Sequence, residues 1–276
     1  MGKGPGLFSD IGKKSRDLLN KDYNFDHKFS FTSRTSGGVG FTCTGIKKGE
    51  LLLGDINAEL KNNDIKAEFK VDARSNISST VTIDEIAPGL KTILSFSIPD
   101  QRSGKVELQY LHPHAGISTS IGLTATPIAS FSGVIGTGNF AVGGEVAFDT
   151  ASRNIVKYNA GLNYSKPDFV TSLTLTDRCD TVKASYSHSA SLLTNIAVAA
   201  EISHSFSRNE NTFTIGTQHM FDPLTTIKTR INNYGKAAAL IQHEWLPKSF
   251  VTLSGEVDTR ALDKSAKFGM SVVMKP

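Results

Sequence analysis

The stretch that decides the fold is IKAEFKVD at residues 65–72, followed after a short turn by ISSTVTI at residues 77–83. In the first segment apolar and charged residues alternate strictly. The second keeps the same period, with Ser and Thr as its polar residues and one serine in the apolar series. A period of two places alternate side chains on opposite faces of a β-strand. The two segments therefore predict neighbouring strands with one apolar and one polar face.

The same period runs in both directions from this pair. It begins near Phe25 and continues to Met274, interrupted only by short turn clusters such as 34–38, 99–104 and 207–211. No linker or composition break divides the chain. At ~10–11 residues for each tilted membrane strand plus a turn, the region holds roughly 18–20 strands in one meander.

A sheet of this size has to close. An open sheet would leave two unpaired edges and a wide apolar face in water. With strands ~4.8 Å apart and tilted near 40°, the closed barrel has a backbone radius of about 19 Å, too wide for side chains to fill. Water then occupies the lumen, and the apolar face meets lipid. The prediction is an all-β transmembrane barrel surrounding a pore, with membrane lipid as its first partner.

Composition agrees with a barrel and excludes several other classes. Hydrophobic residues make up 39% of the chain, below the ~45–50% usual for soluble domains. The net charge of +4 is too small for a nucleic-acid-binding composition. Cys43 and Cys179 are far apart and predict free thiols, with no disulfide framework or zinc site. We find no catalytic constellation, and predict no enzyme activity, cofactor or metal.

The first 23 residues differ from the rest. Their apolar residues recur at helical spacing, and Ser9 is the expected N-cap. The prediction is an amphipathic helix over residues 1–23 lying inside the pore, with residues 24–276 forming the barrel. Gly4 and Gly6 are the expected hinge before the helix. The apolar stripe consists of Leu7, Phe8, Ile11, Leu18 and Leu19.

Charge on this helix is the expected source of solute selectivity. Acidic and basic residues on the polar face of the strands nearly cancel, whereas residues 1–23 hold five basic against three acidic residues, a net charge of +2. At a constriction this charge attracts anions, and salt screens it over a Debye length of ~8 Å at physiological ionic strength. Lys13, Lys14 and Arg16 are the predicted solute contacts.

The strongest local motif lies near the C-terminus and reads His219-x-x-Asp222-Pro223-x-Thr225-x-x-x-Thr229-Arg230-Ile231-Asn232-Asn233, continuing to Ala238, Ala239 and Ile241. It resembles the eukaryotic porin signature at every constrained position. Residues 8–17 resemble the N-terminal helix of the voltage-dependent anion channel family, and Gly89-Leu90-Lys91 resembles its GLK triplet. Residues 104–118 and 239–250 are similar to plant members, so the resemblance covers the full chain.

The resemblance implies nineteen strands, with the first and last paired in parallel because the count is odd. It implies a voltage-gated, weakly anion-selective channel of the mitochondrial outer membrane that passes ATP, ADP, phosphate and other small anions, with Lys91 as a nucleotide-facing wall residue. Homo-oligomer formation and docking of cytosolic proteins are left open. Where animal members carry a lipid-facing glutamate, this chain has Phe69, with Glu68 on the lumenal face, so properties attributed to that glutamate are not carried over.

The last strand carries a second signal. Lys267-x-Gly269-x-x-Val272-x-Met274 resembles the mitochondrial β-signal for outer-membrane insertion. Two alternatives stay open at this point. One is a related nineteen-stranded protein-import pore, which the short N-terminal region and the intact signature disfavour. The other is a soluble β-rich binding module, for which solubility without detergent would be the evidence.

Overall fold

Nineteen strands form one closed barrel in the computed structural model, which describes residues 4–35, 37–62, 64–100, 103–189, 195–261 and 266–275. Each strand pairs antiparallel with the next, and β1 also pairs in parallel with β19. The predicted count and the parallel closure are both confirmed. The strands are β1 His27–Arg34, β2 Val39–Lys48, β3 Leu51–Asn62, β4 Ile65–Asp72, β5 Ile77–Ala87, β6 Leu90–Ile98, β7 Lys105–His112, β8 Ala115–Gly122, β9 Ile128–Gly136, β10 Phe140–Asp149, β11 Asn154–Ser165, β12 Phe169–Thr176, β13 Thr181–Ser189, β14 Ile196–Ser205, β15 Glu210–Asp222, β16 Thr225–Asn232, β17 Lys236–Leu246, β18 Ser249–Asp258 and β19 Lys267–Met274.

The N-terminal segment lies inside the barrel and identifies its inner face. Ile11 packs against Val134 and Ala141, and Leu18 and Leu19 pack against Ala199. Following the register from these contacts places hydroxyl, amide and charged side chains inward, including the hydrogen-bonded rows of Ser and Thr between neighbouring strands. Large apolar side chains such as Phe29, Phe69 and Phe131 are exposed on the outer face. The outer face is therefore the hydrocarbon-facing one.

The segment is helical in two pieces rather than one. A single 3-10 turn spans Phe8–Asp10, and the α-helix α1 spans Lys13–Asn20. The expectation that Ser9 is the N-cap is wrong, because the cap of α1 is Gly12 in a left-handed conformation with φ +69°. That conformation favours glycine, since a Cβ atom would crowd the backbone. Ile11 and Gly12 therefore separate the 3-10 turn from α1.

Inward-facing glycines form a track beneath the segment. A Cβ atom on Gly143 or Gly161 would lie 3.2 Å from Phe8 Cδ2 or Ile11 Cδ1 respectively. On Gly216 it would lie 2.7 Å from Leu19 Cδ2. The missing side chains let the segment lie flat against the wall, and any larger residue would force it towards the pore axis.

Candidate pore lining and helix clamp

The cations predicted on the helix all lie on its lumenal side. Lys13, Lys14 and Arg16 are exposed, while Ser15, Leu18 and Leu19 are buried against the wall. Lys13 Nζ lies 3.2 Å from Asp10 Oδ1, and Arg16 Nη2 donates a hydrogen bond of 2.8 Å to the Ser9 carbonyl oxygen. Lys14 has no carboxylate within 4.0 Å in the described part of the chain. Two of the three charges thus face the lumen without an acidic partner.

Most charge on the wall is cancelled locally. Lys91, the predicted nucleotide-facing residue, lies on the inner face of β6 with its Nζ 3.2 Å from Asp84 Oδ1. Neighbouring carboxylates therefore reduce the attraction these wall cations exert on a passing anion. The other wall pairs are Lys66 with Glu59 and Glu68, Lys70 with Asp55, Lys105 with Glu107, Lys157 with Glu145, and Glu256 with Arg230 and Lys267.

Between the helix and strands β7–β14 lies a polar cavity of about 560 Å³. Its lining combines serine and threonine hydroxyls with Arg16 and Lys183, neither of which has a carboxylate within 4.0 Å among the described residues. Glu107 and Glu145, which pair with Lys105 and Lys157, and Glu201 also line it. Hydroxyls and unpaired cations are groups that can transiently replace water around an anion. The cavity extends the lumen behind the helix.

One side chain of the porin-like motif holds the C-terminal end of the helix. Arg230 Nη1 donates hydrogen bonds of 2.9 Å to the Leu19 carbonyl oxygen and to Asn20 Oδ1. Its guanidinium also lies 4.5 Å from the ring centroid of Tyr23, and its Nη2 lies 3.4 Å from Glu256 Oε2. A cation at the C-terminal end of a helix is favourable, because the last carbonyl groups are unsatisfied.

A second cation from the same strand strengthens this contact, and we call the pair Arg230 and Lys228 the helix clamp. Lys228 is buried, and its Nζ lies 3.3 Å from Asp22 Oδ2. Burial raises the pKa of Tyr23 to about 12, an effect that the positive charge of Arg230 partly opposes. The phenol therefore stays neutral at physiological pH.

The remaining signature residues build turns or face outward. Asn232 Oδ1 accepts hydrogen bonds from the backbone amides of Tyr234 and Lys236, and Asn233 bridges to Phe213 and Asn211. Asp222 is the last residue of β15, and Pro223 begins the turn to β16. His219 is exposed on the outer face of β15. Sequence reasoning missed the clamp, since only the fold brings Arg230 to residues 19–23.

The predicted hinge and insertion residues have structural contacts of their own. Gly6 has φ +76°, and a Cβ atom on Gly4 would lie 2.6 Å from the His112 carbonyl oxygen. In β19, Lys267 and Gly269 face inward, and Val272 and Met274 follow the outward register opposite Phe29 and Phe31. A Cβ atom on Gly269 would lie 2.7 Å from Phe25 Cα, so the chain crosses β19 at this glycine. That Gly4 and Gly6 act as a hinge, and that the β19 motif directs insertion into the outer membrane, stay predictions.

Comparison with known proteins decides the family. A family profile described as eukaryotic porin matches residues 4–269. The chain belongs to the eukaryotic porin family. Among full-length relatives, this porin is 61% identical over 276 residues to the mitochondrial outer membrane protein porin of 36 kDa of Solanum tuberosum, covering 100% of both chains. It is 56% identical, again over 100% of both chains, to the outer plastidial membrane protein porin of Pisum sativum and to the mitochondrial outer membrane protein porin 1 of Arabidopsis thaliana.

Family and fold together place this porin among channels rather than enzymes. The import-pore and soluble-module alternatives are not favoured by any of these matches. Within the described ranges, no helix is long and apolar enough to cross a membrane. The same residues contain no group of three or more His, Cys, Asp or Glu side chains placed to hold a metal ion.

Proposed function

We propose that this porin is a voltage-gated, weakly anion-selective channel for metabolites, including ATP, ADP and phosphate, in the mitochondrial outer membrane. The observation that carries the proposal is the position of uncompensated positive charge. Lys14 and Arg16 lie on the lumenal side of the helix without an acidic partner within 4.0 Å, whereas the wall cations are largely paired. A passing anion therefore meets its main attraction at the helix.

The proposed location in the mitochondrial outer membrane rests on the names of the relatives. Most of those described are mitochondrial outer membrane porins, and the Pisum sativum protein belongs to the outer plastidial membrane. Homo-oligomer formation and the docking of cytosolic proteins stay predictions, as does contact between Lys91 and nucleotides.

Gating is proposed to come from charges moving in the transmembrane field. Each charge that crosses the field contributes about 2.3 kcal/mol per 100 mV. The helix clamp and the glycine track oppose displacement of the whole helix. Small shifts of the helix or of wall charges that leave Arg230 in place are therefore the favoured gating motion.

The test is the current through the purified protein in a planar lipid bilayer. The expected result is large, stable conductance at low voltage that falls at higher voltage of either sign. A tenfold KCl gradient should give a reversal potential on the anion-selective side, and the potential should shrink as total salt rises because the helix charge is screened. Absence of current would contradict the proposal, and a cation-selective reversal potential would contradict the selectivity.

A further inference from the structure

The hairpin between β7 and β8 is a feature that the channel function leaves unexplained. It carries two histidines, His112 as the last residue of β7 and His114 in the turn, separated only by Pro113. The hairpin lies at the end of the barrel at which β1 and β19 end. Both histidines are exposed. Imidazole is the commonest metal ligand in proteins, and one tight turn here presents two imidazoles together.

The two rings lie close enough to share one ion. Their centroids are 6.0 Å apart, with an angle of 55° between the ring planes. Two imidazoles that bind one Zn²⁺ ion through nitrogen atoms at ~2.0–2.1 Å place their ring centroids no more than about 6.5 Å apart. The observed separation is within this limit, so bridging by one ion requires no increase or decrease in the spacing of the two residues.

The ring nitrogens of both histidines are available to an external ligand. The backbone nitrogen of His114 lies 3.4 Å from His112 Nδ1, a distance longer than a normal hydrogen bond. In the described part of the chain, His112 Nε2 and both ring nitrogens of His114 have no hydrogen-bond partner. Tyr110 stacks against His112 at 6.4 Å between centroids. The stacking restricts the His112 ring and uses neither of its nitrogens.

Neighbouring strands hold the backbone of this hairpin on both sides. The Leu111 amide donates a hydrogen bond of 2.8 Å to the Gly89 carbonyl oxygen, and the Gly136 amide donates one of 3.0 Å to the His114 carbonyl oxygen. Pro113 fixes its own φ between the two histidines. Ligands on a fixed backbone lose less conformational entropy when they bind, so the turn is preorganised for chelation.

We propose that His112 and His114 together form a binding site for one divalent transition-metal ion, Zn²⁺ or Cu²⁺. Imidazole nitrogen suits both ions, and Cu²⁺ binds the more tightly of the two. Among the described residues no third His, Cys, Asp or Glu completes a group at this turn, so water fills the other coordination positions. Such an open site exchanges its ion with solution. The inference does not depend on the channel function, because neither histidine lines the lumenal cavity.

Cu²⁺ provides the measurement, because nitrogen ligands split its electron paramagnetic resonance spectrum. The full-length porin without an affinity tag is stripped of metal with a chelator, reconstituted in phosphatidylcholine vesicles and titrated with Cu²⁺. The expected result is one tightly bound ion per chain, with splitting from two imidazole nitrogens. Zn²⁺ should displace this copper, and the displacement should need an excess of Zn²⁺ because zinc binds less tightly.

Single substitutions distinguish one shared site from two independent imidazoles. His112→Gln and His114→Gln should each weaken Cu²⁺ binding by about a hundredfold, because a second ligand on a short connection acts at a high effective concentration. His27→Gln removes an exposed histidine at the opposite end of the barrel, so it is the matched control and should bind Cu²⁺ as the parent does. Unchanged conductance in a planar bilayer confirms that each variant has folded.

Three outcomes overturn the inference. The first is equal Cu²⁺ affinity in the parent and in the double variant His112→Gln/His114→Gln. The second is a single variant that binds half as much copper as the parent with unchanged affinity, which would make the two imidazoles independent. The third is one bound ion for every two chains, which would assign the histidines to a contact between copies of the porin.

Discussion

Replacing Lys13, Lys14 and Arg16 together with glutamate is expected to convert the anion-selective pore into a cation-selective one. The substitution changes the net charge of residues 1–23 from +2 to −4. All three side chains are exposed on the lumenal side of a helix that rests against the wall, so the new charge faces the solute path. The wall charges around it are largely paired and cannot compensate.

The measurement is the reversal potential in a KCl gradient at low total salt, where screening is weakest. The triple glutamine variant is the matched control, and its selectivity should fall between those of the parent and the glutamate variant. A graded response of this kind distinguishes charge from a change in helix position. If all three proteins share one reversal potential, the helix is not the selectivity determinant.

Replacing Arg230 with glutamine is expected to loosen the C-terminal half of the helix without opening the barrel. The variant loses charge-assisted hydrogen bonds to the Leu19 carbonyl oxygen and to Asn20, each worth about 1.5–3 kcal/mol. It also loses the contact with the Tyr23 ring, worth about 0.5–2 kcal/mol. Glutamine can keep one of the two hydrogen bonds. The lower bounds for the other bond and for the ring contact then add to about 2 kcal/mol, which corresponds to a roughly thirtyfold rise in local opening.

Hydrogen–deuterium exchange of the backbone amides in Lys13–Asn20 measures this opening directly. The matched control is Lys66→Gln, which removes another inward cation whose ion pairs, with Glu59 and Glu68, are both with wall residues. Exchange in the barrel strands should be unchanged in both variants. Equal protection of the helix in the parent and in Arg230→Gln would show that the clamp does not hold it.

The alternation of apolar and polar residues is enough to predict the barrel. A strand with one apolar face repeats every two residues, and this period can be seen in any eight of its residues. The strictly alternating segment 65–72 is a strand with Phe69 outward and Glu68 inward, as its pattern indicates. The odd strand number is different, since counting residues leaves a range of roughly 18–20 strands. Only the family resemblance reduces that range to one number and predicts the parallel pairing.

Local patterns predict the helix but not how it is attached. Apolar spacing identifies Ile11, Leu18 and Leu19 as the packing stripe, and the structure buries all three. The N-cap at Gly12 escapes prediction because glycine has no side chain to act as a cap, whereas Ser9 carries the hydroxyl that N-caps usually use. Arg230 is more than two hundred residues from its helix partners, so no local signal links them. The one sequence feature that marks the glycine track is the presence of glycines at inward-facing positions of β10, β11 and β15.

The most direct test of the water-filled lumen compares two adjacent residues of β2. Cys43 lies on the outer face between Phe31 and Ile56, and Thr44 lies on the inner face, hydrogen-bonded to Ser30 at 3.3 Å. One protein keeps Cys43 as its only thiol through Cys179→Ser. The other carries Thr44→Cys with both native cysteines replaced by serine. Each is treated in a bilayer with a charged, membrane-impermeant thiol reagent, which needs a hydrated thiolate.

We predict that Thr44→Cys reacts and that its single-channel current falls, while Cys43 stays unmodified. Cys43 should react instead with a lipid-soluble maleimide, which confirms that its thiol is intact. Rapid modification of Cys43 by the charged reagent, with no reaction at position 44, would contradict the assignment of the two faces and with it the pore.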